Sequence, residues 1–168
     1  MDPHQELCRL FDLYRLCELN RRYYGARCER FERRSSWIDR AAGGVSAIAL
    51  FVILLLESKE ARFAAAALSG IAAILTSLSP LTGLSRNASK ASNLHTLYSQ
   101  LFAQVESVIV QIRRDGLTEQ LLGSSKQVHE AYRLMHALDE REPDQELITK
   151  KEEEVRQAFP AEYLYQHF

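Results

Sequence analysis

AAGGVSAIALFVILLL, residues Ala41 to Leu56, and FAAAALSGIAAILTSLSPLTGL, residues Phe63 to Leu84, are two runs without an ionisable side chain, separated only by Glu57-Ser-Lys-Glu-Ala-Arg62. With Trp37 as an interfacial anchor the first run reaches about 20 residues, or about 30 Å as a helix at about 1.5 Å per residue, the thickness of a bilayer's hydrocarbon core. The second run is of similar length. A soluble chain of 168 residues struggles to supply a core around two consecutive helices of this kind. The pair therefore predicts an all-α membrane protein, a two-transmembrane helical hairpin with a cytoplasmic helical bundle formed by the N-terminal helix and the C-terminal helices.

The two runs differ in kind. The first is rich in Val, Ile, Leu and Phe, suits lipid, and offers Gly43 and Ala47 as a small-xxx-small pair for close helix approach. The second is dominated by Ala, Ser, Thr and Gly, and Ser69, Ala73, Thr76, Pro80 and Gly83 follow one another at helical steps of four and three along one stripe. Two functions suit such a stripe. Several copies in a ring would turn it inward to line a narrow pore, or the small residues would simply let helices pack closely. Pro80 is expected to loosen the end of its helix.

Working outward, residues 1–36 form an N-terminal amphipathic segment, 37–84 the hairpin and 85–168 a helical region. Asp2-Pro3 is a helix start. Leu7, Leu10, Tyr14, Cys17, Tyr24, Cys28 and Phe31 fall on one apolar seam with Arg21 as its single polar intruder, so this helix requires a partner. Its arginine-rich face either approaches anionic headgroups or is an ordinary solvated face. Ser36 and Asp39 have capping-box spacing and predict a helix restart near Arg34 to Ser36. The natural mate for the seam is a helix from about Asn87 to Arg114, with Leu94, Leu97, Tyr98, Leu101, Val105, Val108, Ile109 and Ile112 on its apolar face and Asp115-Gly116 as its stop. A third helix is expected over about Thr118 to Leu138, with a possible break at Gly123-Ser-Ser. A last one runs from Gln145 to about Phe159, with Glu146/Lys150 and Glu152/Arg156 as i,i+4 pairs, before Pro160 and an aromatic tail.

The formal net charge is −1, but seven arginines lie within about twenty residues before the first run, which places both termini in the cytoplasm. The polar start and the late first apolar run predict insertion by the internal segments, not by a cleaved leader. Cys8, Cys17 and Cys28 have no CxxC spacing and are expected as reduced thiols. No catalytic residues, cofactor or metal are expected. His129 and His136 lack further ligands, and Gly123-Ser-Ser-Lys126 lacks the spacing and the preceding strand of a phosphate loop.

The layout of a basic N-terminal helix with Leu19-Asn-Arg-Arg-Tyr-Tyr-Gly-Ala-Arg27, a run opening after Trp37, a short loop, a small-residue run and a helical segment from Ser85 resembles the SLATT domain over roughly residues 5 to 140. That family comprises bacterial two-transmembrane proteins thought to form pores in nucleotide-signalling and antiphage systems. The resemblance implies no enzyme. It implies a multi-pass homo-oligomer in the bacterial inner membrane, for which a tetramer is the simplest ring, whose gated, ion-permeable pore disrupts the membrane. It also implies a nucleotide or oligonucleotide signal, activating or inhibitory, made by a partner nucleotidyltransferase. This chain carries no recognisable sensor domain, so Arg86, Lys90, Arg113, Arg114 and Lys126 are named, by charge alone, as candidate ligand contacts. A membrane-anchored scaffold or adaptor and a holin-like lesion former are the alternative functions.

Overall fold

The computed structural model describes residues 3–55, 66–74, 77, 83–139 and 142–160, and among these every regular element is helix. The main elements are α1 (Pro3–Leu55), α2 (Leu84–Asp115), α3 (Glu119–His136) and α4 (Gln145–Ala158), and residues 66–74 are also helical. The chain divides into two compact units, one of Met1–Ala26 with Ala91–Phe168 and one of Arg27–Lys90.

In the first unit the first part of α1 packs with α2, α3 and α4. Tyr14 of α1 stacks on Phe102 at 4.3 Å while Tyr24 stacks on Tyr98 at 5.8 Å, so α2 runs antiparallel to α1. Glu6 meets Ser125 and Tyr24 meets Asp139, which makes α3 parallel to α1. Tyr23 meets Asp144 and Tyr14 meets Phe159, which brings α4 back. This is the up-down-up-down bundle that short connections favour. Leu10, Phe11, Leu13, Tyr14 and Cys17 share one buried cluster with Leu101, Val105, Val108, Ile109, Ile112, Leu121 and Val128. Leu10, Tyr14 and Cys17 of the expected seam are thus buried with residues of its expected mate, and Tyr24 stacks on Tyr98. Arg21 enters it because Glu18, 1% exposed, takes two hydrogen bonds from its guanidinium, Nε at 2.6 Å and Nη2 at 2.8 Å, and its charge lies over the Phe102 ring.

Gly25 marks a close approach of helices. A Cβ there would lie 3.2 Å from His95 Nδ1, and that nitrogen is itself 2.9 Å from the Arg21 carbonyl. Gly116, at φ +76°, ends α2 in the left-handed conformation that a side chain resists.

Several expectations are corrected. Among the described residues no helix is long and apolar enough to cross a membrane, so the two-transmembrane hairpin is not supported. The described apolar end of α1, residues 41–55, amounts to about 22 Å and follows directly on Asp39 and Arg40. The described helix in the second run, residues 66–74, amounts to about 14 Å. Neither approaches the about 30 Å that a span requires. No helix restarts at Ser36 either, since α1 is unbroken from Pro3 to Leu55. Gly123-Ser-Ser sits inside an unbroken α3, whose N-cap is Thr118, with its hydroxyl accepting from Leu121 N at 3.2 Å. Leu97, expected on the apolar face, is 38% exposed. In α4, Lys151 pairs with Glu154 at 2.8 Å and Arg156 with Glu153, so these i,i+3 contacts stand where i,i+4 pairs were expected. The aromatic tail lies outside the described residues.

Among the described residues of the second unit the buried apolar ones are Phe31, Ala42, Ala49 and Ala72. Gly43 and Ala47 are exposed, and a Cβ on Gly43 would meet nothing within 4 Å, so the small residues that become buried are Ala42 and Ala49, two turns apart. Large apolar side chains point the other way, with Ile48 56%, Leu50 63%, Phe51 63%, Ile71 49% and Ile74 63% exposed.

Candidate functional site

The predicted site residues are divided between the two units. Ser69 and Ala73 are exposed, one turn apart, on the helical residues 66–74, and Gly83 is half-buried at φ +64°, its carbonyl accepting from Asn87 N at 2.9 Å. Thr76 and Pro80 lie outside the described residues. Among the cations, Arg86 and Lys90 are exposed in the second unit, and Arg113 and Arg114 are exposed in the last turn of α2. Arg114 is held by Asp115 through two hydrogen bonds of 2.9 Å, which raises the guanidinium's pKa and lowers that of the carboxyl. Lys126 is the candidate cation that stands at a groove.

That groove lies in the first unit between the start of α1 and the middle of α3, with a volume of about 660 Å3. Its floor is Glu6, whose side chain is only 5% exposed. Oε1 accepts a short hydrogen bond from the hydroxyl of Ser125, which is fully buried on α3. Among the described residues buried Oε2 has no hydrogen-bond partner, and the nearest cation, Arg9 Nη1, is 3.9 Å away, too far for a hydrogen bond. Lys126, His129 and Arg133 follow Ser125 at helical steps along the same wall. His129 Nδ1 donates to the Ser125 carbonyl at 2.9 Å, and Arg133 pairs with Glu130 at 3.0 Å. The site therefore joins a buried acceptor that lacks a donor to a cationic rim, a combination suited to a ligand carrying both a donor and an anion.

Sequence reasoning singled out Lys126 and missed its partners. Glu6 and Arg9 are i,i+3 on a helix already read as amphipathic, and nothing local ties them to a segment some 120 residues later. The phosphate chemistry considered for Gly123-Ser-Ser also changes character, because within an unbroken α3 these residues no longer offer the free N–H groups of a helix start.

A second polar convergence holds the bundle together. Asp139, just after α3, accepts from Tyr24 Oη at 2.9 Å and from Tyr98 Oη at 3.0 Å, and His136 Nδ1 lies 2.6 Å from its Oδ2. Tyr98 is fully buried, and burial together with the Asp139 charge raises its phenol well above the usual range. Tyr132 fits against this group, edge-on to Tyr98 and stacked on His136, and burial raises its phenol as well. Beside it Tyr23 accepts from Asp144 N at 3.0 Å, at the start of α4.

The cysteines are free thiols. Cys17 is fully buried, and desolvation pushes its pKa to about 12. Among the described residues no group of His, Cys, Asp or Glu side chains is placed to hold a metal ion. No protein-family model, no curated protein and no solved structure matches this chain.

Proposed function

We propose that this protein is a homo-oligomeric effector that makes a bacterial inner membrane leaky to ions in antiphage defence, under the control of a nucleotide made by a partner nucleotidyltransferase. The observation that supports this reading is the inverted packing of the second unit. Among its described residues the buried ones are mostly alanines, Ala42, Ala49 and Ala72, while Ile48, Leu50, Phe51, Ile71 and Ile74 are about half or more exposed. A helix bathed in water places its large apolar residues inside. A helix in lipid gains nothing by hiding them, and packs through its small residues instead. The activity as proposed requires these exposed side chains to enter the bilayer in the assembled state, and it does not rest on a two-span hairpin. In that assembly Ser69, Ala73, Thr76, Pro80 and Gly83 line the ion path, with a tetramer as the simplest ring.

The test is ion release from liposomes of bacterial lipid by the purified full-length chain, with and without a panel of mononucleotides and cyclic oligonucleotides. Release that responds to one of these nucleotides, and that falls when Ile48, Leu50 and Phe51 are replaced together by Ser, is the expected result. Intact liposomes under every nucleotide tested would overturn the proposal.

A further inference from the structure

We infer that the groove around Glu6 is the nucleotide site itself, and that it distinguishes nucleobases by an amino group. This rests on the reading that a nucleotide controls the protein, and adds where it binds and which of its groups is recognised. Three observations carry the inference. Glu6 is nine-tenths buried, and a buried carboxylate oxygen without a hydrogen bond is costly unless a donor reaches it. Ser125 already occupies Oε1, so the vacancy is at Oε2, where it calls for one N–H or O–H. Arg9, which lies over Oε2 at 3.9 Å, has a side chain 60% exposed and is free to swing toward an anion, uncovering that oxygen.

The anion belongs on the rim. Lys126 is exposed at the groove. Arg9 and Lys126 therefore face each other from α1 and α3 as phosphate contacts, and Arg133 is partly neutralised by Glu130 at the edge. A nucleoside monophosphate supplies both functions at once, an anionic phosphate for Arg9 and Lys126 and, on adenine, guanine or cytosine, an exocyclic amine for Glu6 Oε2. Hypoxanthine carries a carbonyl where adenine has its amine, and uracil where cytosine has its, and the ring N–H of each stands beside that oxygen, so either base would set a carbonyl against the carboxylate.

The experiment is calorimetric titration of the purified full-length chain with AMP, GMP, CMP, IMP, UMP and inorganic phosphate. One or more of the amino-bearing nucleotides should bind about tenfold or more tightly than IMP, UMP and phosphate, the discrimination expected where a site's buried polar group is left unpaired by the wrong ligand. Lys126→Ala and Arg9→Ala, both exposed side chains, should each weaken that binding about tenfold, and Glu6→Met should abolish the preference for the amine. If Glu6→Met fails to fold, the comparison of AMP with IMP on the unaltered protein still decides. Absence of binding, equal binding of amino and carbonyl nucleotides, phosphate binding as tight as AMP, or indifference to Lys126→Ala would each overturn the inference. Liposome release separates the two readings. Binding with these signatures but without release overturns the membrane activity alone, and nucleotide-controlled release that Lys126→Ala and Arg9→Ala leave intact overturns this site alone.

Discussion

Replacing Asp139 by Ala should remove a large part of the first unit's stability without disturbing any apolar contact of the central cluster. Two phenols depend on this carboxylate, Tyr24 at 2.9 Å and Tyr98 at 3.0 Å, and both are essentially buried at 2% and 0% exposure. Hydrogen bonds to a charged group contribute about 1.5–3 kcal/mol each, and a buried donor left without an acceptor loses at least as much. Two such donors give about 3–6 kcal/mol, against about 5–15 kcal/mol for a whole domain. His136 adds little, because its side chain is 66% exposed. For a bundle of about a hundred residues, about 1 kcal/mol moves the midpoint by about 4 °C, so Asp139→Ala should lower Tm by about 12–24 °C. Circular dichroism at 222 nm during thermal and urea unfolding measures it. A double-mutant cycle gives the sharper result. Tyr98→Phe should be costly in the natural chain and nearly neutral in Asp139→Ala, with a coupling of about 1.5–3 kcal/mol. A loss below about 1 kcal/mol, or strict additivity of the two substitutions, would refute the account of Asp139 as the shared acceptor.

Four further outcomes follow from the geometry. Gly25→Ala should destabilise the bundle by about 1–2 kcal/mol despite alanine's better helix propensity, because His95, fixed by the Arg21 carbonyl, cannot withdraw from a Cβ at 3.2 Å; in His95→Ala the same change should stabilise by about 0.5–1 kcal/mol, as urea titrations would show. The Cys17 pKa is raised in the folded state from 9.0 to about 12, so the folded protein holds that proton longer; stability should fall as pH rises through this window, by about 1.4 kcal/mol at about pH 10, and Cys17→Ala should lose that component of the pH dependence. The same burial should make Cys17 the slowest of the three thiols toward an aromatic disulfide reagent, behind half-buried Cys8 and Cys28. Asp144→Ala removes the side chain that accepts from Leu147 N at 3.0 Å at the start of α4 and should reduce stability by about 1 kcal/mol, read by urea unfolding.

The elements whose formation depends on near neighbours are legible in the sequence. The seam of Leu7, Leu10, Tyr14, Cys17, Tyr24, Cys28 and Phe31 is periodic over several turns and buried except at half-buried Leu7 and Cys28, and the face of Leu94, Leu97, Tyr98, Leu101, Val105, Val108, Ile109 and Ile112 is buried except at Leu97. Gly116 ends α2 for a reason written in one residue, its positive φ. The misreadings share a cause. Ser36 and Asp39 carry a capping pattern, but the residues around them sustain helix equally well, and the pattern alone cannot choose between a cap and a helix interior. Charge-free runs, likewise, indicate length and polarity and do not by themselves establish a membrane span.

The composition and periodicity of this chain determined that it is helical, that its first helix needs the helix after Leu84, and that the stretch from Ala41 to Leu84 is apolar out of proportion to the rest. Only the tertiary structure decided that Glu6 meets Ser125 and the cationic rim of α3, that Asp139 gathers Tyr24 and Tyr98, and that the second unit buries Ala42, Ala49 and Ala72 while leaving Leu50 and Phe51 outside. The difference is physical. A hydrophobic stripe is a property of one helix and repeats every few residues, so it survives in the linear order. A polar site is made by single side chains whose meeting depends on the register of helices packed from distant parts of the chain.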